Sequence, residues 1–447
     1  MESGEWFLIC PGCQTNTTAA IPFSFQSGEV RMAREHASSG VKLIVVLLLT
    51  ACGSSDRHAG GLVLWDSAGV EIAESEHAAW DDARAWELSP EPLLEIGMTE
   101  GDSLYLFYEI VGVHRFSTGH IAVANAGTDE IRFYDADGQF LNAVGGHGDG
   151  PSEYRSMGRL DVVGDSLFVS DYGTYRVSVL APDGAFVRSI NLAALCLAIP
   201  RTLGLFADGS MLVWADAVED LKLVAGVNYT NTRYYRVDPN GTSVDSIGQF
   251  FSGEHYVELR DGGGYSSRRM PFGRRSAAVV AGNTFYYADG SNVSITQYSQ
   301  SGVPLRIIRY PAATAPVTSA DLDRVLEPYL SHFGESVQRR LRSTYRAMPL
   351  PSTMPAVSSL LVGSEGDIWV GQYQSAFDFS ARCWWIFAAA GQLLGSKCLP
   401  DGFTPHQIGA DFVLGVRVDD LGVERVAFYG LARQASDAGG LGRPWPN

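Results

Sequence analysis

Three stretches of this chain share one internal distance. Gly119 and Gly138, Asp165 and Gly184, and Asn283 and Gly302 are each 19 residues apart. The first member of each pair opens an apolar run (HIAV, SLFV, TFYY), and the second closes a turn (DADG, APDG, SQSG). Between them lies another β-rich run: EIRFY at 130–134, RVSVL at 176–180, SITQY at 294–298. Two longer copies keep the order, Gly209 to Gly241 and Gly366 to Gly391, and carry insertions between their second and third strands. The glycine that ends each turn suits a hairpin needing a residue at positive φ. A strand before each copy, such as IVGVHRF at 110–116 and SMGRLDVV at 156–163, completes a four-stranded unit.

Units of forty-odd residues with four strands predict an all-β fold, a β-propeller of antiparallel blades. A sixth copy is degenerate: ADFVL at 410–414, then VERVAFY at 423–429, with no clean turn or last strand. The ring needs a strand from elsewhere, and Leu62–Ala73 (LVLWDSAGVEIA) is the donor the pattern suggests, because closure removes exposed edges. This gives six blades, with seven as the alternative. Thr318–Met348 breaks the β pattern and predicts a two-helix insertion (318–348) between blades four and five, capped at Thr318 or Ser319.

The leader predicts location. VKLIVVLLL at 41–49 is too short to span a bilayer and has the length of a signal-peptide apolar region, with Arg34 and Lys42 before it. Leu49-Thr50-Ala51-Cys52 resembles the bacterial lipobox, which implies lipidation at Cys52. Gly53, in place of Asp, points to an outer membrane facing the periplasm or the cell surface. The expected organisation is then a misassigned extension (1–31, with Met32 as the start), a signal peptide (32–51), a tether (52–61), the propeller (62–433) and a disordered tail (434–447). Cys10 and Cys13 lack a second pair to complete a zinc site.

The chain also resembles exported six-bladed bacterial propellers related to NHL-repeat proteins. The resemblance rests on DSAGVEI at 66–72, VANAGTDEIRFYDADGQFL at 123–141, the GxGxGPxEY exit at 146–154 and MPLPSTMPAVSSLLVGSEGDIWV at 348–370. It implies the fold over roughly 62–430 and no particular chemistry.

Function is less constrained. The net charge of −17 argues against nucleic acid as a partner. Asn125, Asp171, Asp289 and Gln372 end the second strands of their copies, with Asp216 one place later in its copy. Such a ring is suited to a sugar or a cation, Ca²⁺ or Zn²⁺; the bland alternative is that each binds its own turn backbone. Residues 260–346 hold twelve arginines against six acids, with Arg268, Arg269, Arg274 and Arg275 clustered, a candidate grip for an anion or a lipid head group. Arg274 and Arg275 join the candidate ligand set. The alternative for these arginines is pairing with acids on neighbouring blades. His114, in a first strand, is a candidate channel residue, or simply packed. Histidine spacing shows no HxH or HExxH, the exit loop lacks a P-loop lysine, and no GxSxG occurs. Cys383 and Cys398 flank the turn at Gly391 and are expected to form a disulfide, leaving Cys196 free and buried. The reading that follows is a lipid-anchored binding or scaffold module for a small molecule, glycan or envelope protein. The alternative is a metal-dependent NHL- or lactonase-like enzyme using the axial channel.

Overall fold

The computed structural model describes residues 57–59, 61–81, 85–195, 197–216, 224–259, 264–374 and 382–433. The signal segment, Cys52, the Cys10/Cys13 pair, Cys196 and the tail lie outside the described residues. Among the described residues the strands form six sheets. The first contains Ile110–Arg115, Ile121–Asn125, Glu130–Tyr134 and Phe140–Gly145, and the second Met157–Val163, Ser166–Asp171, Arg176–Leu180 and Phe186–Asn191. The third contains Arg201–Leu205, Met211–Asp216, Gly226–Val237 and Val244–Leu259, with Tyr265–Arg269 as a fifth strand. The fourth is built on Ala277–Ala281, Thr284–Ala288, Val293–Ser299 and Pro304–Tyr310, and the fifth on Val357–Val362, Ile368–Gln372, Cys383–Phe387 and Leu393–Cys398. The sixth contains Phe403–Ile408, Phe412–Val418 and Glu424–Ala432.

Side-chain alternation along the second strands explains how the sheets pack. Ile121 and Val123 join Tyr134 in a core shared with Leu414, Val416 and Val426 of the sixth sheet. Ala122 and Ala124 point the other way, into a core shared with Leu167, Val169 and Leu180 of the second. Every residue of Ile121–Asn125 is therefore buried. Each neighbouring pair of sheets has such a core: second with third, third with fourth, fourth with fifth, and fifth with sixth. The first strands touch in the same order, and the sixth sheet's first strand returns to touch that of the first. This closed circuit of sheets is a β-propeller arrangement.

The turn glycines have a second duty besides positive φ. A Cβ at Gly184 (φ +87°) would lie 2.8 Å from Phe133 and 3.0 Å from Val144 of the preceding sheet. At Gly241 it would lie 2.3 Å from Ile190, at Gly302 2.6 Å from Ile247, and at Gly391 2.8 Å from Ala73 and 3.1 Å from Ile308. Each turn thus sits on the fourth strand of the sheet before it. Gly138 would meet Ile96 at 3.1 Å, which identifies Leu94–Ile96 as the fourth strand of the sixth sheet. Its pairing agrees: Ile96, Glu95 and Leu94 lie opposite Val426, Ala427 and Phe428, and Glu87–Leu88 continues along Leu431 and Ala432.

The closing strand is therefore not Leu62–Ala73. That hairpin, Leu62–Ser67 and Val70–Ser75, lies outside the fourth sheet, with Val70–Ser75 parallel to Pro304–Tyr310 and Arg57–Ala59 beyond it. The chain then crosses the fifth sheet, where Ala79 and Trp80 donate backbone hydrogen bonds to Leu393 and Leu394. A Cβ at Gly395 would lie 2.3 Å from the Trp80 ring, so Trp80 occupies the seat that a turn glycine takes elsewhere.

Helices α1 (Ser319–Leu330) and α2 (Glu335–Ala347) lie between Pro304–Tyr310 and Val357–Val362. Thr318 and Asp321 form a reciprocal capping box on α1. Leu322, Leu326, Leu330 and Leu341 pack with Phe272 from the connector before the fourth sheet. Cys383 and Cys398 are cross-strand partners and are joined by a disulfide.

Candidate binding site at the loop end of the fourth and fifth sheets

In an antiparallel sheet entered by its first strand, the turn from second to third strand leaves at the same end as the connector to the next sheet. Asn125, Asp171, Asp216, Asp289 and Gln372 all stand at that end. Asn125 is fully buried; its Oδ1 accepts from the Tyr108 N–H at 2.9 Å and its Nδ2 donates to Thr128 Oγ1 at 2.8 Å. Asp171 accepts from the N–H groups of Arg155, Ser156 and Gly173 and from Thr174 Oγ1, at 2.6–3.3 Å. Burial pushes its carboxyl up, and these hydrogen bonds outweigh burial and hold it low. Asp289 accepts from Ser291 N–H and Oγ and from Arg274 Nη1 at 2.9 Å. In all three sheets the residue ties its own turn to the segment just before the first strand. These side chains are brought to one end but are spent on structure. Asp216 pairs through its backbone with Thr232.

Gln372 differs. A glutamine is one methylene too long to close the turn that Asn and Asp close. Gln372 instead lines a cavity of about 120 Å³ with Ser358, Ser359, Gln374, Arg382 and Trp384. Gly371 is also in the lining, and a Cβ there would lie 2.2 Å from Ser359 Oγ and 3.0 Å from Ser358 Oγ, so the two serines pack directly on this glycine. Trp384 is 3% exposed, and its indole Nε1 has no hydrogen-bond partner among the described residues. The lining residues carry hydroxyl, amide, guanidinium and indole groups around room for a small polar molecule, with the Ser358 hydroxyl already donating to the Gly371 and Gln372 carbonyls. Sequence reasoning picked out Gln372 and missed Ser358, Ser359, Arg382 and Trp384. The usable signal was the Gln itself, at a position where the other copies carry Asn or Asp.

The arginine-rich segment divides. Arg274 donates to Glu254 Oε1 and Asp289 Oδ2, both at 2.9 Å, and lies 4.4 Å over the Phe251 ring. Arg342 and Arg346 of α2 pair with Glu327 and Asp323 of α1. Arg275 has no acidic partner among the described residues.

The first strands carry a further polar group. Arg159 Nε donates to both oxygens of Asp161 at 2.8 Å. The Arg159 charge also acts on His406, although their strands belong to the second and sixth sheets, which are not neighbours. The Arg159 charge is therefore felt across the ring of first strands. Among the described residues no three His, Cys, Asp or Glu come together as metal ligands. Burial lowers the pKa of both His114 and His406 to about 4, and at His406 the Arg159 charge adds to it. The folded values lie below the unfolded one, so the unfolded chain binds more protons between pH 6.5 and 4, and stability falls over that window as pH drops. Each histidine contributes at most about 3 kcal/mol. Urea midpoints at pH 7 and pH 4.5 should differ by less in His406→Gln than in the wild type; an equal difference contradicts the assignment.

No protein-family model and no curated protein matches the chain. Among solved structures it is similar to a Bacteroides fragilis protein named as exported, at 13% identity over 81% of this chain and 100% of that one, TM-score 0.44. It is also similar to virginiamycin B lyase of Staphylococcus aureus, at 10% identity over 78% and 99%, TM-score 0.39. A third is regucalcin, a calcium-binding protein of Agrobacterium tumefaciens, at 10% identity over 76% and 92%, TM-score 0.31.

Proposed function

We propose that this chain is an exported, six-bladed β-propeller, anchored through lipid at Cys52, that acts as a binding module for a small polar molecule or the end of a glycan. The six cores between neighbouring sheets and the return contact between the sixth and first support six blades. On this count α1 and α2 are an insertion between blades four and five. The lipobox-like LTAC after VKLIVVLLL supports export and anchoring. Among the described residues no helix is long and apolar enough to cross a membrane.

The observation that carries the binding role is Gln372. Its counterparts Asn125, Asp171 and Asp289 are consumed by their own blades, whereas Gln372 lines a cavity among polar residues. Hydrogen-bonding walls around a small volume favour a ligand recognised by its hydroxyl, amide or carboxylate groups. A thermal-shift screen of monosaccharides, amino acids and small carboxylates is the test. A ligand that raises the wild-type Tm by several degrees should give less than half that shift in Gln372→Leu. Equal shifts in both proteins would remove Gln372 from the site.

A further inference from the structure

The extended arm of the third sheet gathers positive charge without an acid to meet it. On Val244–Leu259, residues Gly253 and His255 are two apart and share a face. His255 is the cross-strand partner of Arg269, and Gly253 is the bridge partner of Arg275. The register therefore places His255, Arg269 and Arg275 on one face, around a position that has no side chain. A Cβ on Gly253 would lie 3.7 Å from His255 Nε2, 3.8 Å from the Arg274 carbonyl oxygen and 3.9 Å from Arg275 Cγ, so the glycine leaves a small space between them. The next residue along, Glu254, is already held by Arg274, which also takes Asp289. Among the described residues neither Arg269 nor Arg275 meets a carboxylate, and both reach solvent although the inner part of Arg275 is covered.

The two guanidinium charges repel each other and disfavour a proton on His255. Burial, then Arg269, lowers the pKa of Arg275, and burial, then Arg269 and Arg275, lowers that of His255. The other polar groups beside them are Tyr373 at Arg275, Ser267, whose Oγ is 3.5 Å from His255 Nδ1, and the Arg274 carbonyl at the Gly253 space; none of the three carries a net charge. An oxyanion in the Gly253 gap would relieve the repulsion and accept from two guanidinia at once, the geometry that favours arginine at phosphate sites.

We propose that His255, Arg269 and Arg275, floored by Gly253, form a binding site for a phosphate group, separate from the Gln372 cavity. The chemistry is the same whether the phosphate is free, on a small molecule, or in a phospholipid head group. The full chain with Cys52→Ser, which cannot carry the lipid, is the material for the test, at low ionic strength. Inorganic phosphate is titrated calorimetrically, and sedimentation is measured with phosphatidylglycerol and with phosphatidylcholine vesicles. The wild type should bind phosphate or sediment with the phosphatidylglycerol vesicles; saturable binding of free phosphate assigns a soluble source, and sedimentation with phosphatidylglycerol alone assigns a head group. Arg275→Gln should weaken whichever binding is seen at least tenfold. Gly253→Glu places a carboxylate in the gap and should abolish binding while holding or raising the Tm, which separates loss of the site from loss of the fold. Binding in neither arm overturns the proposal, as does a Gly253→Glu protein that binds as the wild type does.

Discussion

Ile96→Asp is expected to destabilise the protein by more than about 4 kcal/mol, against at most about 1.5 kcal/mol for Leu64→Asp. Ile96 is 2% exposed and packs with Tyr134, Phe412 and Val426, on the seam between the sixth and first sheets. An aspartate there carries an unpaired charge into that core and interrupts the strand that closes the circuit, next to the Gly138 turn. Leu64 lies in the hairpin outside the fourth sheet and is only half-buried. Urea unfolding of both variants checks the order. If Leu62–Ala73 closed the ring, the order would be reversed.

Asp367→Ala is expected to cost about 3–5 kcal/mol. Asp367 is 4% exposed and accepts from Trp369 Nε1 at 2.6 Å and from Arg433 Nη1 at 2.8 Å. Arg433 also donates to the Gly409 carbonyl and lies 4.3 Å over the Trp86 ring. Trp369 is fully buried in the core between the fifth and sixth sheets. Removing the carboxylate leaves the Trp369 indole N–H without an acceptor and the Arg433 guanidinium with only the Gly409 carbonyl. Asp367→Asn keeps one acceptor oxygen and should cost less than half as much. Calorimetric unfolding of the two variants measures the difference; equal losses would mean that packing, not the ion pair, holds this corner.

These two sites also show what could be read from the residues alone. The repeated strands were legible because a positive-φ turn leaves a glycine behind, and because buried strands stay apolar on both faces, as at Ile121–Asn125. The closing strand was not. Leu94–Ile96 is three residues long, inside WELSPEPLLEIG, and its pairing with Val426–Phe428 is set by packing more than three hundred residues away. Leu62–Ala73 has the stronger β pattern, yet it adds to an edge rather than filling a gap. At the binding end, Asn125, Asp171 and Asp289 could be aligned by spacing, but their partners could not. Those are N–H groups of connectors at Tyr108, Arg155 and Ser156, and the side chain of Arg274. Spacing likewise paired Arg274 with Arg275, and only the fold separates them, since Glu254 and Asp289 engage one and not the other.

The most direct test of the binding role is hydrogen–deuterium exchange on the protein with and without a small polar ligand found by the thermal-shift screen. Slowed exchange should be confined to 357–360, 370–374 and 382–385, the backbone around Gln372 and its cavity. Protection instead along 157–163 and 403–408, the strands of Arg159 and His406, would place the ligand on the axis and contradict the account.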